Sequence, residues 1–566
     1  VVVVVVGSGA AVVVVEVDVV GGSVVDVAVA VGPPTCSVAG SDPREQAPSA
    51  TSAMATATAR RVDTIMGIDA TSRLDEWAVT SPLHSPAMAL RDDVRSFIDQ
   101  AWDDDIEPTL HDYIRIPNES PAFDPDWEAH GHMAAAVELV RTWWERRLAD
   151  AGIDDATVTE HTLAGRTPVL VADIPATAGA TEAGTVLLYG HLDKQPPMLP
   201  WTDGLDPWTP VRRGDRLYGR GSADDGYAVF AALAAVEAVR AGGGEHARCV
   251  ILIEASEESG SPDLPAHVDA LGDRLGSPSL VVCLDSGCAT YDRLWVTTSL
   301  RGFVGLTVRV DVLTAGVHSG SAGGVVPSSF RVLRQLLDRV EDSSTGELVV
   351  PELHAPIPAE REAQLHDAVE AAGDAVGGVF PFVGGVVPTG ATAADRLRNR
   401  TWRPAVEVIA ADGLPVVGHG GNVLRPATTL ELVFRLPPTV DARVAADAVR
   451  TVLLADPPEG ASVAVDVRFA QSGWDAPATA PWLADAVQHA SSSAFGQPAA
   501  AMGEGGSIPF MGMLGERFPD AQFIVTGVLG PGAGHHGPDE HLMVPYAAGI
   551  THAVAHILDA HAHARR

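Results

Sequence analysis

Hydrophobic positions along this chain change rhythm several times, and each change predicts an element. Folded sequence is expected from about residue 86 onward. Residues 92–116, DDVRSFIDQAWDDDIEPTLHDYIRI, set apolar against acidic side chains at helical spacing. Residues 130–152 predict a second helix, with Gly152 as its stop. Short apolar runs then take over: VLLYG (186–190), CVILIEA (249–255), LVVCLD (280–285) and QFIVTG (522–527). Runs of this kind predict strands buried on both faces. Between the first two lies residues 224–244, where Val229, Leu233, Val236 and Arg240 predict a helix with one apolar stripe, ended by Gly242 to Gly244. Apolar strands alternating with helices predict an α/β fold with a mostly parallel sheet.

From about Leu300 the rhythm shortens. Residues 302–312, 347–353, 405–413 and 428–438 alternate apolar and polar side chains, as half-exposed strands do. Helical patterns at 330–342 and 445–455 lie among them, and the helix–strand pattern resumes near Trp474. The expected organisation is an α/β domain in two parts, 86–299 and 474–566, with an α+β domain at 300–473 inserted between them.

Residues 1–32 are valine-rich but carry Glu16, Asp18 and Asp26, and the first basic residue is Arg44. That is a poor match to a signal peptide or a membrane span. Residues 33–60 are rich in Pro, Ser, Ala and Thr and are expected to be disordered. Residues 1–85 are therefore expected to be a low-complexity extension outside the fold, with a native start near Met54 or Met66.

Charge narrows the function. Lys and Arg total 38 against 73 Asp and Glu, a net charge of −35. Such a surface repels nucleic acid and anionic membranes. Lys194 is the one lysine. Cys36, Cys249, Cys283 and Cys288 are too few for a disulfide framework in a chain this long, so reduced thiols in a cytoplasm are expected. Cys283 and Cys288 flank Asp285 at a spacing that matches no common zinc pattern, and they read as buried strand residues.

The candidate chemistry gathers where apolar runs end. YGHLDKQP (189–196), GRGSADDG (219–226), EASEESG (254–260), CLDSG (283–287) and GHHGPDE (534–540) bring His, Asp and Glu to those ends. In an open α/β sheet, ligands bind beyond the carboxyl ends of the strands. His191 and Asp193 lie two apart in extended chain and share a face, so one can bind a metal while the other supports it. Asp224 and Asp225 open a helix, where a purely dipolar role competes with metal binding. Glu257 and Glu258 cannot point the same way; one can bind metal while the other acts as general base on a water. Asp285 ends an apolar strand, and of His535 and His536 only one is expected to reach a metal. His191 and Asp285 on one ion, Glu258 and a late histidine on a second, and Asp224 between them satisfy two divalent metals sharing a water nucleophile. The donor set favours Zn²⁺, with Mn²⁺ or Co²⁺ as alternatives.

These five motifs, in this order over roughly residues 95–560, resemble the zinc-dependent dipeptidase family that includes cytosolic carnosinases, bacterial dipeptidases, aminoacylases and glutamate carboxypeptidase. Within it, YGHLD-x-QP, LYGRGS-x-DD, EESGS and GGSIP look closest to the carnosinase-like dipeptidases. The resemblance implies that His191, Asp224, Glu258, Asp285 and His536 are the ligands, with Asp224 bridging. It implies Glu257 as the base, acting on a metal-bridging hydroxide, Asp193 as its support, and a cis Asp224–Asp225 peptide. It makes the inserted domain a lid and dimerisation domain. It implies that His318 reaches the active site of the other subunit to stabilise the oxyanion, and that Arg435, with Gly506 and Ser507, binds the substrate carboxylate. Where many relatives carry a lysine after the paired aspartates, this chain has Gly226 and Tyr227.

The function expected is a cytoplasmic, homodimeric two-metal dipeptidase that cleaves dipeptides or similar small amides with a free carboxylate. The alternatives are an N-acyl-amino-acid deacylase of the same mechanism and, in a different class, a two-metal phosphoesterase. The anionic, lysine-poor clusters speak against the phosphoesterase.

Overall fold

The computed structural model describes Leu90, residues 93–564 and the backbone of three strands within residues 2–32. Those three strands, Val2–Ser8, Ala11–Val20 and Ser23–Gly32, pair antiparallel in a small sheet of their own, in a stretch that the sequence pattern sets outside the fold. The expectation of disorder at 33–60 lies outside the described residues. Residues 82–566 form a separate compact unit.

In chain order this unit begins with α1 (Asp93–Ala101), α2 (Glu107–Ile114) and α3 (His132–Asp150), followed by β1 (Thr157–His161), β2 (Val169–Ile174) and β3 (Thr185–His191). Next come α4 (Gly226–Ala241), β4 (Arg248–Glu254), α5 (Leu264–Leu271), β5 (Pro278–Cys283) and β6 (Trp295–Leu300). A middle group holds β7 (Gly302–Asp311), α6 (Ser329–Leu337), β8 (Ala405–Asp412), β9 (Ala427–Leu436), α7 (Ala442–Leu454) and β10 (Ser462–Gln471). The chain then forms α8 (Pro481–Phe495), β11 (Ala500–Glu504), α9 (Pro509–Arg517), β12 (Gln522–Val525) and α10 (Val544–His563).

The main sheet has the order β12-β5-β3-β4-β2-β1. The first four strands are parallel, and β2 and β1 add antiparallel at one edge, so the sheet is mixed. Its strands are apolar on both faces because both faces are covered. Val186, Leu188, Ile251, Ile253, Leu280 and Val282 pack with α4 and α10. Leu187, Tyr189, Val250, Leu252 and Val281 pack on the other side with α5 and α9. This sandwiching corrects the reading of α4, which is buried along nearly its whole length rather than on one stripe. It lies between the sheet and α1 and α10. From β3 the chain crosses to β4 on one side, then returns to β5 on the other. The strand order therefore reverses at β3, and such a switch point opens a crevice at the carboxyl ends.

The middle group builds an antiparallel sheet of order β8-β9-β7-β10. Val304, Leu306, Val308 and Val310 alternate inward opposite Leu430, Leu432, Phe434 and Leu436, and α6 and α7 cover them in a separate core. One expected strand does not form there. In 347–353 only Glu347–Leu348 pair, and Pro351–Leu353 make a single 3₁₀ turn. Leu348, Val350 and Leu353 are apolar because they plug that core as a loop.

Candidate metal centre

The crevice at β3 is where the motifs meet. His191 is the last residue of β3, paired in register with Glu254 at the end of β4. Glu257 and Glu258 sit in a single turn just after β4, Asp285 lies two residues past β5, and Asp224 precedes α4. His536 comes from the loop between β12 and α10, with φ +57°. The Asp224–Asp225 peptide is cis.

Two groups of donor atoms form, each with its atoms within 4.8 Å of one another: His191, Asp224 and Asp285, and Asp224, Glu258 and His536. Asp224 belongs to both and divides its oxygens between them. Its Oδ1 lies 3.4 Å from His191 Nε2 and its Oδ2 3.1 Å from His536 Nε2. His536 Nε2 is also 3.2 Å from Glu258 Oε2. The ring of His536 is exposed at one edge while this nitrogen turns inward, and the equally exposed His535 beside it joins neither group. Asp285 Oδ2 and Glu257 Oε2 stand 3.9 and 4.0 Å from His191 Nε2.

Neighbouring groups hold these side chains in place. Asp193, fully buried, accepts hydrogen bonds from the backbone N–H groups of Glu257 and Glu258, each at 3.0 Å. Its Oδ1 also lies 3.5 Å from His191 Nδ1. Gln195 Nε2 donates to Glu258 Oε2 at 2.5 Å. Asp225 passes beneath the strand end and accepts from the His191 N–H at 3.3 Å. Only a glycine at 190 permits this, since a Cβ there would lie 2.7 Å from Asp225 Oδ2.

The electrostatics fit cations. Burial, then the charge of Asp285, pushes Glu257 well above the usual carboxylate range. Burial also raises Glu258 and lifts Asp285 to about 7. Burial opposes protonation of the histidines, but Asp224 and Glu258 still raise His536 to about 11. A cluster this rich in buried carboxylate favours positive charge among its donors. His191 Nε2 and Glu258 Oε1 are buried with no hydrogen-bond partner. Buried polar atoms are rarely left unpaired, and these two face the donor groups that a divalent ion would complete.

Of the other expected residues, Arg435 and Ser507 come together, with Arg435 Nη1 donating to Ser507 Oγ at 3.4 Å. Burial lowers the Arg435 pKa, and no carboxylate among the described residues offsets it. Gly506 lies open, with no atom within 4 Å of where a Cβ would be. His318 does not join the cluster within this chain. It is exposed, and its Nδ1 accepts from the Gly320 N–H at 3.1 Å. Sequence reasoning gave no role to Arg220, Gln195 or Glu540, although each lies inside one of the motifs, and it named Asp225 only as the neighbour of Asp224.

A switch-point crevice lined by histidines and shared carboxylates defines a metal-dependent hydrolase. The chain belongs to the peptidase family M20/M25/M40, which it matches over residues 187–560, and is accordingly a metallopeptidase. It is 31% identical over 416 residues to the cysteinylglycine-S-conjugate dipeptidase of Corynebacterium striatum, across 71% of this chain and 85% of that protein. It is 28% identical to the Beta-Ala-His dipeptidase of Homo sapiens, across 52% of this chain and 57% of that protein. Among solved structures, human carnosine dipeptidase 1 aligns with a TM-score of 0.65 at 22% identity, covering 83% of this chain and 99% of that one. The dipeptidase Dug1p of Saccharomyces cerevisiae aligns with a TM-score of 0.66 at 20% identity, covering 84% and 98%. These structural likenesses bear on the fold, an α/β domain with an inserted lid domain. Among the described residues, no helix is long and apolar enough to cross a membrane.

Proposed function

We propose that this chain is a two-metal dipeptidase, cleaving the amide bond of dipeptides or similar small substrates with a free carboxylate. The observation that carries the reading is the division of Asp224, one oxygen toward His191 and the other toward His536. His191, Asp224 and Asp285 would hold one cation, and Asp224, Glu258 and His536 the other, with Zn²⁺ favoured by the donors. Two such ions supply the electrophile for the scissile carbonyl and make the attacking water acidic. Glu257 takes a proton from that water on its carboxylate and delivers it to the leaving amine nitrogen. Asp193 fixes the Glu257 backbone for this task. Arg435, Ser507 and the open backbone at Gly506 bind the substrate carboxylate, which sets the register of the peptide bond. The partner subunit's His318 donates to the carbonyl oxygen as charge develops there. The dipeptidases among the relatives support the substrate class. The free thiols of Cys249, Cys283 and Cys288 suit a reducing cytoplasm.

Glu257→Gln tests the chemistry. Metal analysis is expected to find wild-type content, while turnover falls by about a hundredfold or more, the usual contribution of such a base. Retention of more than about a tenth of the activity removes Glu257 from the role. In the same assays, preference for N-acyl-amino acids over dipeptides with a free amine moves the reading to a deacylase.

A further inference from the structure

Behind the donor cluster lies a fully buried ion pair that the reaction does not use. Arg220 Nη1 and Glu540 Oε2 are 2.6 Å apart, and both side chains are wholly shielded from solvent. Removing two charges from water costs several kcal/mol per ion, about, and an apolar pair of similar volume is often as stable or more so. Stability alone is therefore a weak reason to keep this pair.

Its hydrogen bonds point elsewhere. Glu540 Oε2 also accepts from the Gly221 N–H at 3.1 Å, and its Oε1 accepts from the N–H groups of Ala223 and Asp224 at 3.1 and 3.2 Å. One carboxylate thus grips the backbone that ends in Asp224. Glu540 itself follows His536 by four residues in the same loop. Arg220 closes the arrangement from the other side. Its Nη2 donates at 2.6 Å to the carbonyl of Gly537, next to His536, and its Nε donates at 3.1 Å to the carbonyl of Pro196, in the segment after His191 and Asp193. Space for this is cut tightly: a Cβ at Gly221, where φ is +76°, would lie 2.6 Å from Lys194 Cε. Three chain segments distant in sequence, carrying His191, Asp224 and His536, are tied to each other through one pair.

We propose that Arg220 and Glu540 are positioning residues for the metal centre, setting the separation of Asp224 and His536 and so the affinity of the cation between Asp224, Glu258 and His536. This rests on reading that trio as a metal site. Partners that orient metal ligands typically contribute about 10–100-fold to affinity.

The test is calorimetric titration of ZnCl₂ into chelator-stripped full-length protein, with thermal melting in parallel, for wild type, Arg220→Met, Glu540→Gln, the double variant and His536→Ala. Each single variant leaves a buried group unpaired and is expected to melt lower. The double variant removes the charge imbalance and is expected to melt closer to wild type. Its affinity for one of two Zn²⁺ ions is nevertheless expected to fall about 10–100-fold, with the other ion affected less. Arg220→Lys keeps the charge but loses the arm to Gly537, and is expected to show the same loss in smaller degree. If His536→Ala loses one ion while the folded double variant and Arg220→Lys bind both as wild type does, the pair is only structural and the proposal is overturned. If His536→Ala itself binds like wild type, the metal reading of that trio fails and the proposal falls with it.

Discussion

Asp224 is one carboxylate facing two donor groups, and of the two adjacent late histidines the structure places one beside it. His536 Nε2 lies within 3.2 Å of Asp224 and Glu258 oxygens, whereas His535 belongs to neither donor group. Asp224→Ala is therefore expected to lose both metals, His536→Ala one, and His535→Ala neither, as read by elemental analysis of purified protein. A reversed order for the two histidines contradicts the assignment in this loop. Adjacent histidines are easy to see in a sequence, but which one turns inward depends on a backbone at φ +57° that composition does not disclose. The motif resemblance chose His536, and the coordinates place the same residue beside Asp224. The pairing of Arg220 with Glu540 was not legible at this scale. Their pairing joins residues 320 apart, and neither interrupts an apolar run in a way that marks it as buried.

The elements were most legible where burial was complete. β3, β4, β5 and β12 stand out because strands covered on both faces need apolar residues at nearly every position. β10 was not read as a strand although Val463, Val465, Val467 and Phe469 alternate along it; as an edge strand with most of its residues exposed or half-exposed, it lacks the continuous apolar run that marks the buried strands. The 347–353 segment misled for the opposite reason, being apolar to fill a core rather than to join a sheet. The close fit at the end of β3 leads to a prediction of its own. In Gly190→Ala the new Cβ would meet Asp225 Oδ2 at 2.7 Å and the Ala228 Cβ at 3.1 Å, so the start of α4 must shift against His191. The expected outcome is a protein that retains its far-UV circular dichroism, melts lower and binds less metal. Wild-type metal content in a stable Gly190→Ala protein contradicts the close packing described.

Across the whole molecule, buried histidines shape the acid response. Burial lowers His246 to about 4, His552 to about 4 and His556 to about 3. His556 faces His552, with 3.2 Å between their Nε2 atoms, and the ring of His489. An unfolded histidine titrates near 6.5, about. Between that pH and the lowered folded value the unfolded state binds more protons, so these groups remove stability as pH falls. His556→Leu is expected to flatten the pH dependence of unfolding free energy by about one proton across that window, measured by denaturant titration against wild type. An unchanged slope contradicts the burial of that imidazole. Assembly gives a second prediction. On the proposal that His318 completes the partner subunit's site, a heterodimer of one His318→Ala chain and one Glu257→Gln chain would hold one site with both defects and one with neither. The purified heterodimer is expected to show about half of wild-type activity although both parents are inactive, by the symmetry of a shared site. Confirmed heterodimers without activity would place His318 outside the other subunit's site.

Asp285 and His536 sit on the same cluster, yet the whole antiparallel sheet of β7 to β10 is translated between them. At synthesis rates of about 5–20 residues per second, the last donor leaves the ribosome roughly 13–50 s after Asp285. Until β12 docks beside β5 the carboxylates have no His536 to face. The nascent chain thus holds a donor cluster that lacks His536 until the inserted domain and β12 have both been made.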